Sequence, residues 1–381
     1  MIYNLLERPV AAVHPIIFLV DQILYRAVDM QASDIHIEPH RSKGIRVRYR
    51  IDGVLYDQDP VSIDQGSAVL SRLKVLSSLD IAQSRVPQDG KLIVRFEPGG
   101  SSDSVPRNID LRVSTFPSIY GEKMVIRILD RDPNYISLSS LGCSESVLEG
   151  LHKLIAKPHG FFLVTGPTGS GKTTTLYAIL SKLNKPERNI VTMEDPVEYH
   201  IDGITQSQVN PRAGFTFDVG LRALLRQDPD VAMVGEIRDR KTAQIAAEAA
   251  ITGHLVLSTL HTNDSFGAVT RLVDMGIEPF LITASLTGVV AQRLVRLLCS
   301  ECKRKARGCS SCRGLGYNGR VGIFELLVVD DCMRRMIVNG CDDVELRDYA
   351  VRNGMVLLRD DGLSKVREGL ISFNEYVRVV G

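Results

Sequence analysis

Hydrophobic positions change their period along the chain, and those changes divide it. Residues 11–30 (AAVHPIIFLVDQILYRAVDM) carry apolar side chains at helical spacing, with Pro15 suited to a first turn where its missing N–H is not needed. Residues 34–39 (DIHIEP) and 45–53 (IRVRYRIDG) then alternate apolar and polar positions, which predicts half-buried strands. Arg46, Arg48 and Arg50 share one face of the second strand, either as a solvated sheet face or as a contact for phosphate or a partner. A helix is expected over 66–81, a turn at Pro87-Gln-Asp-Gly90, a Gly/Ser/Pro-rich loop over 97–106, and further strands at 108–113 and 122–129. Residues 1–130 therefore read as an α+β module, and 131–140 as a linker. From residue 160 the pattern becomes short apolar runs, each followed by a helical stretch: 161–164 (FFLV), 190–193 (IVTM), 231–234 (VAMV) and 255–258 (LVLS). Such runs predict parallel strands covered on both faces, an α/β unit. Residues 319–381 read as helical and carry no catalytic signature.

The first apolar run of that unit opens into Gly166-Pro167-Thr168-Gly169-Ser170-Gly171-Lys172-Thr173, with Thr174 starting a helical stretch. The spacing is that of a phosphate-binding loop. Glycines let the backbone wrap an anion, loop N–H groups point at it, Lys172 supplies charge to the outer phosphates, and the Thr173 hydroxyl can ligate Mg²⁺. Hydrolysis also needs a metal organiser and a group that positions water. Glu236 closes an apolar strand and would either hold Mg²⁺ through water or polarise the attacking water. Glu194, Asp195 and Glu198 place three carboxylates within five residues at the end of another strand, where a cation is expected to face them. His261 ends a strand, where α/β ligand sites lie, and suits a γ-phosphate sensor; His254 reads as structural.

Composition narrows the classes. The 381 residues suffice for two or three domains. Forty-six basic against 45 acidic residues leave a formal charge of +1, and there is no Trp, so neither the basic excess nor a stacking stripe of a nucleic-acid binder is present. No apolar run approaches 18 residues, and residues 1–9 lack a signal-peptide pattern. Seven cysteines, an odd number, argue against a disulfide framework. Cys299, Cys302, Cys309 and Cys312 read C-x₂-C-x₆-C-x₂-C, the spacing of a closed structural Zn²⁺ site. The basic run 303–307 between the pairs either offsets thiolate charge or is solvated. Cys143, Cys332 and Cys341 have no such partner and are expected to pack as small apolar residues.

Taken together, GPTGSGKTTTLY, VTMEDPVEYH, DPDVAMVGEIRD and TGHLVLSTLHTNDS resemble the secretion ATPases of type II secretion and type IV pili. The tetracysteine element followed by GLGYNGRVGIFELL is similar to the assembly branch, and SDIHIEPH, RYRIDGVL and RVPQDGK extend the likeness to nearly the whole chain. The resemblance implies a RecA-like P-loop core at 141–295, an amino-terminal PAS-like α+β domain, a zinc element at 296–318 and a helical subdomain at 319–381. It implies ATP, Mg²⁺ and Zn²⁺ as cofactors. Lys172 and Thr173 would hold phosphate and Mg²⁺, Glu236 would be the Walker B glutamate, Glu198 the water-activating residue (with either glutamate open as the base), and His261 part of a histidine box. Arg112 and Arg127 would be the arginines lent by the amino-terminal module. The family likeness also implies a homohexamer, in the cytoplasm on the inner-membrane face, docked on the secretion platform. Its ATP hydrolysis would extend a pilus-like filament that exports folded proteins, or, alternatively, a type IV pilus. Two departures accompany it: relatives carry a further amino-terminal domain that this sequence is expected to lack, and their CxxC pairs stand further apart.

Overall fold

A computed structural model describes residues 2–5, 14–41, 44–97, 106–129, 137–303 and 308–381. Most of the expected linker, most of the loop at 97–106 and most of the basic run at 303–307 lie outside the described residues. The chain forms two compact units, Met1–Pro133 and Asn134–Gly381.

The first unit runs β1 (Ile2–Asn4), α1 (Pro15–Asp29), β2 (Asp34–His40), β3 (Gly44–Ile51), β4 (Val54–Asp57), α2 (Ile63–Leu76), β5 (Gln88–Phe96), β6 (Arg107–Ser118) and β7 (Gly121–Leu129). Its seven strands form one sheet in the order β1-β5-β6-β7-β2-β3-β4, antiparallel except where β1 meets β5. Period-two patterning explains β3. Ile45, Val47, Tyr49 and Ile51 point into the core, while Arg46, Arg48 and Arg50 face outward onto Asp57, Glu38 and Asp34 at 2.5, 2.7 and 3.6 Å. The three arginines thus form the ion-paired, solvated face that was one of the two expectations for them. The turn expected at Pro87–Gly90 is instead the start of β5, with Gly90 paired to Val113. A Cβ on Gly90 would fall 2.5 Å from the carbonyl oxygen of Ser77, so here glycine admits a close backbone approach rather than a bend.

The second unit runs α3 (Glu145–Ile155), β8 (Gly160–Thr165), α4 (Lys172–Leu183), β9 (Ile190–Glu194), β10 (Thr205–Gln208), α5 (Phe217–Leu224), β11 (Val231–Val234), α6 (Arg240–Ile251), β12 (Leu255–Leu260), α7 (Phe266–Asp274), α8 (Pro279–Ser285), β13 (Leu286–Leu298) and β14 (Tyr317–Val328). Four helices follow: α9 (Asp331–Val338), α10 (Asp343–Arg352), α11 (Leu358–Arg367) and α12 (Phe373–Val380). The sheet order is β10-β9-β11-β12-β8-β13-β14, parallel apart from β14. Every residue of β8, β9, β11 and β12 is buried, which is why these strands read as unbroken apolar runs. Phe161 and Leu163 enter the core on one face, Phe162 and Val164 the core on the other.

Residues 319–328, expected to be helical, belong instead to the strand Tyr317–Val328. The run VGIFELLV has no polar alternation, so its period alone does not separate a buried strand from a helix; pairing with β13 decides it. β13 also runs across the boundary expected at 295/296, and the cysteines sit at the tip of the hairpin. The helical expectation holds from Asp331 onward. The hairpin stem is fastened to α12 by Glu375, whose fully buried carboxylate accepts from the Arg296 guanidinium at 2.8 Å, from the Arg296 N–H at 2.9 Å, and from Arg378. Burial opposes its charge, but Arg378 and Arg296 outweigh that and hold the carboxyl down to about 2. Because the folded value lies below the unfolded one, this pairing stabilises fully above about pH 4.3 and is lost as pH falls toward 2. Glu375→Gln is therefore expected to lose about 3 kcal/mol near pH 7. In urea titrations the gap to the parent should narrow below pH 4; a gap independent of pH would contradict the charge assignment.

Candidate nucleotide site and metal centre

β8 ends at Thr165, in the middle of the sheet, and the chain turns back through residues 166–171 before α4 begins at Lys172. Gly166, Gly169 and Gly171 take φ values of 151°, 79° and 88°. A Cβ on Gly166 would lie 2.5 Å from Ser170 Oγ and 2.6 Å from the Gln292 carbonyl, so only glycine fits. No side chain caps α4, which leaves its first N–H groups open to an anion, with Thr173 exposed beside them and Thr174 half-buried behind. Pro167, Thr168 and Gly169 form the exposed rim; Ser170 is buried. Lys172 Nζ donates to the carbonyls of Gly166 and Pro167 at 2.8 and 3.1 Å. Burial lowers its pKa to about 8; the Glu236 charge opposes that shift and the Arg293 charge adds to it.

Glu236 follows β11 and His261 follows β12, so adjacent strands deliver both to the same edge. Glu236 Oε1 meets Arg238 at 2.5 Å and Oε2 lies 3.8 Å from His261 Nε2. Burial, helped by the Lys172 charge, lowers the His261 pKa and keeps its imidazole neutral near pH 7. Lys172, Glu236 and His261 therefore share one electrostatic environment.

The acidic box divides. Glu194 is buried and accepts from Tyr177 Oη of α4, from Thr192 at 2.6 Å and from Gln206 at 3.2 Å; burial raises its pKa despite these bonds. It faces hydrogen-bond donors beneath α4, not the cation expected from sequence, because the last strand residue points inward. Glu198 is exposed, and its backbone N–H reaches Tyr177 Oη at 3.3 Å. His254 is structural, with Nδ1 3.0 Å from the Ala249 carbonyl at the end of α6. In the other unit, Arg112 and Arg127 are register partners on β6 and β7 and so share a sheet face; Arg127 also meets Asp34 at 3.2 Å.

Gln292 was not among the expected residues. It is 1% exposed, donates from Nε2 to the Ser170 carbonyl at 2.6 Å, and accepts from Thr175 Oγ1 at 2.7 Å. No motif flags it; the available signal is an amide inside the apolar run GVVAQRLV, which must find partners if buried.

At the hairpin tip the four Sγ atoms of Cys299, Cys302, Cys309 and Cys312 lie within 4.8 Å of one another, with pairs at 3.6, 3.7 and 3.8 Å. A Zn–S bond of about 2.3 Å puts tetrahedral sulfurs about 3.7 Å apart, so the cage fits Zn²⁺. The Cys309 and Gly316 N–H groups donate to Cys312 Sγ at 3.1 and 3.2 Å; they outweigh burial and bring that thiol to about 6. Burial instead pushes Cys143 up to about 12, as suits a packing residue, and Cys341 packs against the core of the second unit.

The model of the Type II/IV secretion system protein family matches residues 10–378. The chain belongs to that family. It is 50% identical to the Type II secretion system protein E of Pseudomonas aeruginosa and to the Type II secretion system ATPase E of Vibrio cholerae, in each case over 96% of this chain and 75% of the relative. Its fold is similar to that of the Legionella pneumophila ATPase DotB, with TM-score 0.71, 25% identity, and 99% and 98% of the two chains covered. It is also similar to the pilus retraction motor PilT with bound ADP, with TM-score 0.62, 27% identity, and 94% and 95% covered. Among the described residues, no helix is long and apolar enough to cross a membrane. Cys299→Ser is expected to lower the zinc content of the purified protein well below one per chain by elemental analysis; an unchanged content would reject the tetracysteine cage.

Proposed function

We propose that this chain is the ATP-hydrolysing motor of a type II secretion system, and that nucleotide turnover drives assembly of a pilus-like filament. The observation that carries the reading is the open P-loop, with Lys172 in the field of Glu236 and His261, in a chain half identical to type II secretion ATPases. Relatives at that identity carry type II names, which favours this client over a type IV pilus.

In this reading residues 166–174 cradle the phosphates, and the α4 amides and Lys172 take their charge. The Thr173 hydroxyl would hold Mg²⁺ carried in with ATP, which would supply further neutralisation of the transferring phosphate. Glu236, fixed between Arg238 and His261, orients a water at the strand edge. Neutral His261 can donate one hydrogen bond to the terminal phosphate and return when it leaves. Glu198 is the second candidate for activating water. Arg112 and Arg127 act on the nucleotide in the assembled motor, where a planar guanidinium pairs with two phosphate oxygens at once. The assembly is a homohexamer on the cytoplasmic face of the inner membrane, bound to the secretion platform, and Zn²⁺ staples the hairpin tip.

Lys172→Ala should cut ATP turnover by about 10²-fold or more while the protein stays folded, whereas Glu236→Gln should bind ATP and hydrolyse it slowly. Normal turnover in the first variant would reject the site. Activity per chain should also rise with protein concentration, and Arg112→Ala mixed into the parent should depress it; activity indifferent to both would reject the assembled motor.

A further inference from the structure

Arg293 is absent from every motif and lies in the middle of β13. The carboxyl end of β8 is flanked on one side by Leu260 and on the other by Ala291, both opposite Thr165. Arg293 stands two residues beyond Ala291. Its Nη2 donates at 2.5 Å to the carbonyl of Asn263, three residues beyond Leu260. Its side chain therefore crosses over the end of the strand from which the P-loop springs. Nη1 donates at 3.1 Å to the Gln292 carbonyl, the same oxygen that closes on Gly166.

The guanidinium is half-buried, yet both of these acceptors are neutral carbonyls. Among the described residues no carboxylate lies within 4 Å of it. The two acids whose fields reach it are committed elsewhere. Glu325 accepts from the Ser265 N–H and hydroxyl at 2.8 Å and from the Leu358 N–H at 3.0 Å. Asp264 meets Arg347 at 2.8 Å and the Gly267 N–H at 2.7 Å. Burial accordingly presses the Arg293 pKa below the ordinary arginine value, and its charge also lowers that of Lys172. Both cations are partly desolvated and repel one another, a cost that the Glu236 charge offsets at Lys172 and that an anion shared by the two would relieve further. A guanidinium has five N–H donors, so after two carbonyl bonds a planar pair remains for oxygens.

We propose that Arg293 is a phosphate ligand of the nucleotide site, contributed by the same chain as the P-loop, and that it binds the terminal phosphate of a nucleoside triphosphate. The amides at the start of α4 take the inner phosphates in this reading; Arg293 is anchored instead to the loop that follows His261, the residue assigned above to the terminal phosphate. The inference rests on the nucleotide-binding reading above.

The test is equilibrium binding of a non-hydrolysable ATP analogue and of ADP, both with Mg²⁺, to the parent, Lys172→Ala, Arg293→Gln and Arg293→Lys, with thermal unfolding of each protein without nucleotide. A parent that binds neither nucleotide would sink the nucleotide-binding reading itself. Given a parent that binds, Arg293→Gln should lose about tenfold or more in affinity for the triphosphate, keep ADP affinity within about threefold, and unfold near the parent temperature. Arg293→Lys, which keeps the charge without the fork, should fall between. Triphosphate affinity within about threefold of the parent, or an equal loss for both nucleotides, would overturn the proposal. Should Arg293→Gln fail to fold, Arg293→Lys decides by the same two criteria.

Discussion

The catalytic unit depends on one buried amide. A P-loop is a run of backbone with glycines at positive φ, and few bonds of its own hold its shape: the Ser170 N–H reaches the Pro167 carbonyl at 3.3 Å, and Lys172 bridges the Gly166 and Pro167 carbonyls. Gln292 adds a restraint from outside the loop. Its donor is spent on Ser170 and its acceptor on Thr175, so it ties the loop to the first turn of α4 from below. Buried among apolar residues, that amide has no water to fall back on, and losing either bond would strand a polar group in the core. Gln292 thus ties the loop and α4 to β13 through two hydrogen bonds.

β13 extends this restraint beyond the loop. Arg293 leaves it for the His261 loop, Arg296 is clasped by Glu375 of α12, and Cys299 at its far end is a cage ligand. Glu325, on the paired strand, bonds Ser265 and the start of α11 in one step. Nucleotide loop, histidine loop, carboxy-terminal helices and metal tip are thus arranged along a single hairpin. The electrostatics agree with a polyanionic ligand: Lys172 and Arg238 lie in the field of Glu236, Arg293 adds its charge at Lys172, and His261 stays neutral. Such an excess of positive charge is unfavourable alone and is relieved by phosphate.

Much of this was legible in order along the chain. Period-two segments declared the first unit's strands, and unbroken apolar runs declared the parallel core, because a strand buried on both faces has no reason to alternate. The phosphate loop and the two CxxC pairs were legible as well, since their chemistry depends on spacing between near neighbours. Legibility failed where partners are distant in sequence. Gly90 reads locally as a turn because glycine's local freedom and its capacity for close approach look alike until the end of α2 stands against it. Glu194 reads locally as facing a cation because inward and outward carboxylates at a strand end have the same letters.

The sequence by itself determined the family, the nucleotide loop and the cage ligands, all of which are local patterns enforced by backbone geometry and ligand spacing. Only the tertiary structure decided that residues 317–328 are strand, that Gln292 clasps a loop more than a hundred residues upstream, and that Arg293 crosses the end of β8. Those facts depend on which strands become neighbours. Strand order follows from burying two apolar faces of a whole sheet at once, a condition on the entire chain that no short window of residues contains.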